Sequence, residues 1–179
     1  MRLQKNLLVS LLSIFSFMGF VAIFLIKNQI RIISCPSSIV WSYSIYALTP
    51  LILALLSVCL IKRLPAEDSL EIDGNDIVPV EGNLIPAYIG MFVISLSLPG
   101  WSIESLMIML LLLILWLNIG SVSYFNPFLS ILGYRFYAVR SVNNKTITVI
   151  TKEKDLKQAT HLIDLIRINN YTFFWGGKR

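Results

Sequence analysis

Four long apolar blocks, separated by short polar segments, occupy the first two thirds of the chain. They cover residues 7–26, 39–61, 84–101 and 103–125. A helix rises about 1.5 Å per residue, so about 20 apolar residues cross the roughly 30 Å hydrocarbon core of a bilayer. The pattern predicts an α-helical integral membrane protein with four transmembrane helices, of which the third is the weakest.

The fourth block is expected to end with Tyr124 and Phe125 at the membrane interface and with a helix break at Asn126-Pro127, because the residue before a proline resists helical dihedrals. The hydrophobic period changes after this point. The fragment FLSILG predicts a short interfacial helical turn closed by Gly133. YRFYAVR and TITVIT, at residues 134–140 and 146–151, are rich in β-branched and aromatic residues, which predicts a β-hairpin turning at Asn143 and Asn144. For residues 155–175 we expect a short helix followed by a strand, with a second hairpin as the alternative.

This pattern divides the chain into two predicted parts. Residues 1–126 form the four-helix transmembrane domain, with an acidic loop at residues 62–83. Residues 127–179 form an interfacial segment and a small, basic, β-rich (α+β) domain. Composition supports the membrane assignment, because 56% of the residues are hydrophobic and 14% are charged, against about 25% charged in soluble domains.

The distribution of positive charge predicts the orientation. Nine of the fifteen Lys and Arg residues follow Gly133, whereas only Lys27 and Arg31 lie in the loop between the first two blocks. Lys and Arg concentrate on the cytoplasmic side of membrane proteins. We therefore expect a multi-pass protein of the bacterial inner membrane with both termini and the acidic loop in the cytoplasm.

The loop at residues 62–83 holds six of the ten acidic residues. Pro and Gly punctuate it, which favours a solvated connector over a regular helix; a docking surface for a cytosolic partner is the alternative. The candidate partner-binding residues are acidic ones from this loop and two arginines from the basic tail: Glu67, Asp68, Glu71, Asp73, Asp76, Arg135 and Arg140.

Catalytic and metal-binding patterns are not evident in the sequence. His161 is the single histidine, the two cysteines have no metal-site spacing, and no phosphate-binding loop or zinc-protease motif occurs. We therefore expect no enzymatic activity, no cofactor and no metal. Polar and small residues within the apolar blocks, Asn118, Ser13, Ser16 and Gly19, predict helix–helix association and a homo-oligomer instead.

The segment YFNPFLSILGYRFYAV, residues 124–139, together with the predicted architecture, resembles the KwaA family, the membrane subunits of the Kiwa anti-phage defence system. This resemblance implies an inner-membrane protein that oligomerises, detects disturbance of the envelope during infection, and works with a soluble DNA-binding subunit, KwaB. It implies no catalytic residue, and no direct nucleic-acid binding by this chain is expected.

Two other functions remain open from the residues alone. An oligomeric pore that depolarises the cell is compatible with four spans. A subunit of a small transporter is the other alternative, although internal repeats, broken helices and intramembrane charge, which transporters usually show, are missing from the pattern.

Overall fold

The computed structural model describes residues 2–31, 38–98, 103–119, 124, 126–141, 145–154, 156 and 161–177. It contains five helices within these residues: α1 Arg2–Lys27, α2 Ser38–Ile61, α3 Glu81–Ser97, α4 Ile103–Ile119 and α5 Pro127–Ile131. The first four form a layer in which α1 contacts α2, α3 and α4. Phe17, Phe20 and Phe24 of α1 are buried, as expected for a central helix.

Five strands form a closed barrel beside this helix layer. They are β1 Ala66–Pro79, β2 Arg135–Ser141, β3 Thr146–Thr151, β4 His161–Arg167 and β5 Thr172–Trp175. Their order is β1-β2-β3-β5-β4, and β4 pairs with β1 to close the ring. The β3–β5 pair is parallel and the others are antiparallel. This is the five-stranded Greek-key arrangement of the OB-fold, with α3, α4 and α5 inserted between β1 and β2.

The strands present one apolar face to the interior of the barrel and another to the helices. Tyr137, Val149 and Phe173 are register partners across β2, β3 and β5, and they belong to the interior cluster. The next row along the strands points outward, because successive side chains alternate between faces. It consists of Phe136, Ile150, Phe174 and Ile166, which we call the outer row.

The outer row packs on the ends of the helices. Its four residues share one buried cluster with Leu12 of α1, with Ala54, Val58 and Ile61 of α2, and with Tyr88 of α3. The first half of α1, the last turns of α2 and the first half of α3 therefore meet the barrel. The opposite ends of these helices point away from it.

The prediction of four transmembrane helices was wrong. Within the described residues, only α1 and α2 are long and apolar enough to cross a membrane, over Val9–Lys27 and Ile39–Ile61. Helices α3 and α4 have 17 residues each, or about 26 Å, against the roughly 30 Å of the hydrocarbon core. A closed barrel that includes β1 replaces the predicted four-span architecture.

The early end of α3 has a local cause. Leu98 precedes Pro99 and caps α3 with ψ of 134°, since the residue before a proline disfavours helical dihedrals. Tyr124, expected at the membrane interface at the end of the fourth span, is instead 5% exposed and packed in the cluster beneath the barrel. A count of apolar residues cannot place either residue.

The acidic loop was also mispredicted, because residues Ala66–Pro79 form β1. Register shifts on both sides of Asp68 and between Ile72 and Ile77 let this long strand curve around the barrel, as β-bulges do. In the tail, the β2–β3 hairpin is confirmed. Residues His161–Arg167 form β4 and not the expected helix, so the second-hairpin alternative holds there.

Gly19 of α1 lies in close contact with Phe128 of α5. A Cβ added at Gly19 would lie 2.7 Å from Cε2 of Phe128 and 3.5 Å from Cε1 of Phe92. A Cβ at Gly90 of α3 would meet no atom within 4 Å. The two helical glycines thus differ in packing and share the same backbone conformation.

This contrast gives a matched pair of substitutions. Gly90→Ala should stabilise the protein by about 0.5–1 kcal/mol, because alanine has the higher helix propensity. Gly19→Ala should destabilise it by about 1–3 kcal/mol, because Phe128 must leave its position. Thermal unfolding of the purified full-length protein in detergent measures both changes; equal shifts for the two variants would contradict the close packing of Phe128 on Gly19.

Candidate functional site at the helix–barrel junction

A buried polar group joins the helices to the barrel, and we call it the junction: Ser57, Tyr124, Asn126 and Thr172. The backbone N–H of Tyr124 donates to Oγ1 of Thr172 on β5 at 2.9 Å. The Tyr124 hydroxyl accepts a hydrogen bond from Nδ2 of Asn126 at 3.4 Å and is hydrogen-bonded to Ser57 of α2. Tyr124 thus contacts both the helix layer and the barrel.

The partners of Tyr124 are themselves hydrogen-bonded within their own segments. The Ser57 hydroxyl donates to the Leu53 carbonyl of α2 at 2.9 Å. Asn126 is fully buried, and its Oδ1 accepts from the backbone N–H of Phe128 at 3.0 Å. This bond caps α5, and Pro127 occupies the first turn, where its missing N–H costs little.

The helix break at Asn126 and the role of Gly133 agree with the sequence prediction. Helix α5 covers Pro127–Ile131, and Gly133 adopts a φ of +85°, which favours glycine. Leu129 is fully buried against α2 residues of the shared cluster. The short helix therefore packs between the two layers and does not simply rest on a membrane surface.

Burial raises the pKa of Tyr124 to about 12, and its hydrogen bonding with Asn126 and Ser57 offsets part of that shift. The phenol is therefore neutral at physiological pH. A second tyrosine contact lies nearby, where Tyr88 of α3 is hydrogen-bonded to Ser16 of α1. Ser95 of α3 also donates to the Phe20 carbonyl at 3.0 Å, so hydroxyl groups connect α1 and α3 along their contact.

The residues predicted for helix association occupy two helices. Ser13 and Ser16 are buried in α1, and Gly19 of the same helix lies against Phe128 and Phe92 of this chain. These small residues thus allow close packing inside one molecule. Asn118 lies in α4, one residue before its end, and its side chain is outside the described set.

The acidic partner-binding candidates all lie on β1. Glu71 is exposed and is the register partner of His161 on β4; Asp68 is half-buried. Glu67, Asp73 and Asp76 share the strand, although their side chains are outside the described set. The structure therefore places this group on one strand of the barrel.

The two arginine candidates lie at opposite ends of β2. Arg135 pairs with Thr151, and Arg140 pairs with Thr146, so about 17 Å of strand separates them. Arg140 is the β2 residue between the register partners of Ile72 and Ile77, opposite the bulge that holds Asp73 and Asp76. The structure brings Arg140 to the acidic segment and leaves Arg135 near the helices.

Sequence reasoning missed the junction, because Thr172 and Tyr124 are 48 residues apart and no local pattern links them. Only the Asn126-Pro127 pair carried a signal. Among the described residues, His, Cys, Asp and Glu form no group of three that could hold a metal ion. The junction is suited to mechanical coupling between layers, since its groups are neutral and their hydrogen bonds are satisfied.

Removing the Tyr124 hydroxyl tests the junction. Tyr124→Phe should lower the free energy of unfolding by about 1–3 kcal/mol, because Asn126 keeps a buried donor without an acceptor. Tyr171→Phe, at a position 39% exposed, is the control and should stay within about 0.5 kcal/mol of wild type. Denaturant unfolding at neutral pH measures both values.

The free energies of unfolding of these two variants should depend differently on pH. The folded-state pKa of Tyr124, about 12, is above its unfolded value of 10.0, so its contribution is complete below pH 10 and is lost as pH rises through 12. Stability should fall less between these limits in Tyr124→Phe than in Tyr171→Phe. Identical alkaline profiles would contradict a buried, neutral Tyr124.

Comparison with known proteins gives one result. The model of a protein family described as the anti-phage protein KwaA matches residues 7–174, nearly the whole chain. No curated protein and no solved structure matches the chain. The family resemblance inferred from residues 124–139 is confirmed.

Proposed function

We propose that this chain, which belongs to the family of the anti-phage protein KwaA, is a non-enzymatic membrane sensor and scaffold of a bacterial anti-phage complex. In this proposal the helices respond to perturbation of the envelope on infection. The barrel then recruits or regulates a soluble, DNA-binding, KwaB-like partner. The family establishes anti-phage defence; the sensing role and the partner are the proposed part.

The helix layer supports an inner-membrane location. Helices α1 and α2 meet the length and apolarity of membrane spans. The outward face of α2 exposes large apolar side chains, among them Leu48 at 54%, Ile52 at 54% and Leu55 at 51%, a pattern expected of a lipid-facing helix. Other helices expose similar residues, including Ile89 and Val93 of α3.

The charges at the helix ends support a cytoplasmic barrel. Lys62 and Arg63 follow α2 at the end that meets the barrel, whereas Lys27 and Arg31 lie at the other end of the layer. Lys5 precedes the apolar part of α1 on the barrel side. By the positive-inside rule, this distribution supports the proposal that both termini and the barrel are cytoplasmic.

One observation carries the sensing proposal: the outer row shares one buried cluster with residues of α1, α2 and α3, and the junction links β5 to α2 through Tyr124. A packed seam of this kind does not deform continuously, because close-packed interiors have few intermediate arrangements. Displacement of α1 relative to α2 must shift Phe128, Tyr124 and β5 together. An envelope disturbance that favours one helix arrangement would thereby favour one barrel arrangement.

Two features support a role without catalysis or nucleic-acid binding. The buried tyrosine at the junction is neutral at physiological pH. OB-folds bind oligonucleotides through the face of strands 2 and 3, and here Phe136 and Ile150 of that face pack on the helices. Flux through liposomes that contain this chain alone would favour a pore instead.

The β1–β4 surface is the proposed docking site for the soluble partner. It carries Glu71, His161 and Asp164, all exposed. Ile163 among them is 62% exposed. An apolar side chain surrounded by charge is the composition of a small protein interface, with an apolar centre and a polar rim.

Neutralising this surface tests the docking proposal. Glu71→Gln/Asp164→Asn should reduce partner co-purification with the tagged full-length protein by at least tenfold, about 1.4 kcal/mol, because both carboxylates are exposed on the proposed docking surface. The control Glu104→Gln/Glu153→Gln removes the same charge elsewhere and should leave the yield of the complex unchanged. Equal retention of the partner by both variants would contradict docking at this surface.

Cysteine labelling of intact cells tests the orientation. In a cysteine-free background, Arg31→Cys should react with a membrane-impermeant maleimide, because that end of the helices is proposed to face the periplasm. Ser69→Cys on β1, which is exposed, should react only after the cells are lysed. Labelling of Ser69→Cys before lysis would contradict a cytoplasmic barrel.

A further inference from the structure

The exposed face of α2 changes from apolar to cationic at the level of the barrel. Leu48, Ile52, Leu55, Cys59 and Lys62 follow at intervals of three and four residues, which places them on one side of the helix. The first three are about half exposed and Cys59 is exposed. Lys62 and the neighbouring Arg63 are exposed as well. A lipid-facing stripe therefore ends in two cations.

The barrel adds a third cation to the same end of α2. The Nζ of Lys152, in the segment after β3, lies 4.9 Å from the centroid of the Tyr134 ring. Tyr134 shares one buried cluster with Val58 and Ile61 in the last turn of α2, directly before Lys62. Burial, with a smaller contribution from the Cys59 thiol of the same helix, raises the pKa of Tyr134. Lys152 is thus held at the base of α2 by a ring that packs in this cluster.

An exposed apolar side chain lies near this group. Ile131, the last residue of α5, is 70% exposed, and Tyr134 follows it after a tight turn. The Tyr134 N–H donates to the Leu129 carbonyl at 3.0 Å, which fixes this turn against α5. Cations beside an aromatic ring and an exposed isoleucine are the features of a surface at the headgroup level of a bilayer.

We propose that Lys62, Arg63 and Lys152 form a binding site for the headgroup of an anionic phospholipid, with cations contributed by both the helix layer and the barrel. This inference rests on the proposed membrane location. Lipid bound there would contact α2 and the barrel together. The site would therefore make the attachment of the barrel sensitive to the charge of the surrounding leaflet.

Lipid retention by the purified full-length protein tests the site. The protein is held in mixed micelles of neutral detergent with phosphatidylglycerol or phosphatidylcholine of identical acyl chains, and bound lipid is counted by native mass spectrometry. Wild type should retain phosphatidylglycerol preferentially. Each charge removed should weaken that preference about fivefold at low ionic strength, since one basic residue near an anionic surface contributes about 1 kcal/mol.

Two pairs of variants make the result specific. Lys62→Gln/Arg63→Gln is compared with Arg31→Gln/Lys145→Gln, which removes equal charge far from the site. Lys152→Gln is compared with Lys145→Gln, and this pair isolates the contribution of the barrel. Unfolding temperatures without added lipid should agree within each pair, because all these side chains are exposed.

Three outcomes would overturn the proposal. Wild type could show no preference for phosphatidylglycerol, or the control variants could lose that preference as much as the site variants do. Free glycerol phosphate could also displace all of the bound phosphatidylglycerol. Retained preference in Lys152→Gln would restrict binding to α2 and reject the shared site. The measurement uses neither phage nor partner. A failure here is therefore distinguishable from a failure of the sensor role, which partner co-purification tests.

Discussion

Burial of the outer row against the helix ends is the interaction on which the rest of this structure depends. Phe136, Ile150, Phe174 and Ile166 point out of the barrel and are covered by α1, α2 and α3. Each such side chain gains about 1.5–3 kcal/mol when it leaves water, so the row contributes roughly 6–12 kcal/mol. That equals the whole stability of a typical domain. The barrel therefore depends on the helices for its stability.

This constraint decides which surfaces are available for function. An OB-fold usually presents the outer face of strands 2 and 3 to ligands. Here, that face is the attachment surface for the helices, and Tyr124 adds a hydrogen bond to Thr172 on the adjoining strand. Two other surfaces carry exposed charged residues: the β1–β4 surface, which includes Glu71, and the end of α2, where Lys62 and Arg63 lie near Lys152 of the barrel. The proposals for partner docking and lipid binding use these two.

The polar groups of the junction determine the arrangement of the layers more than their stability. A hydrogen bond contributes only about 1 kcal/mol net, whereas an unpaired buried group costs more. Asn126, Tyr124 and Ser57 satisfy one another in one relative position of α2, α5 and β5. Apolar packing alone would tolerate small sliding movements. The junction penalises them, and it does so at every physiological pH, because its tyrosine is neutral.

The sequence by itself determined those features that depend on neighbours along the chain. The apolar blocks at residues 7–26 and 39–61 predicted α1 and α2, since about 20 consecutive apolar residues have few alternatives. Alternation predicted the β2–β3 hairpin, and Asn126-Pro127 and Gly133 predicted the limits of α5. The segment at residues 124–139 indicated the family.

Only the tertiary structure decided the role of residues Ala66–Pro79 and the closure of the barrel. Ala66 pairs with Ile166, 100 residues later, and an acidic segment with Gly and Pro becomes a strand because two partners satisfy its backbone hydrogen bonds. The same holds for Tyr124, whose aromatic ring suggested a membrane interface and whose partner is Thr172. Periodicity reports which faces are apolar; what covers each face depends on contacts between distant parts of the chain.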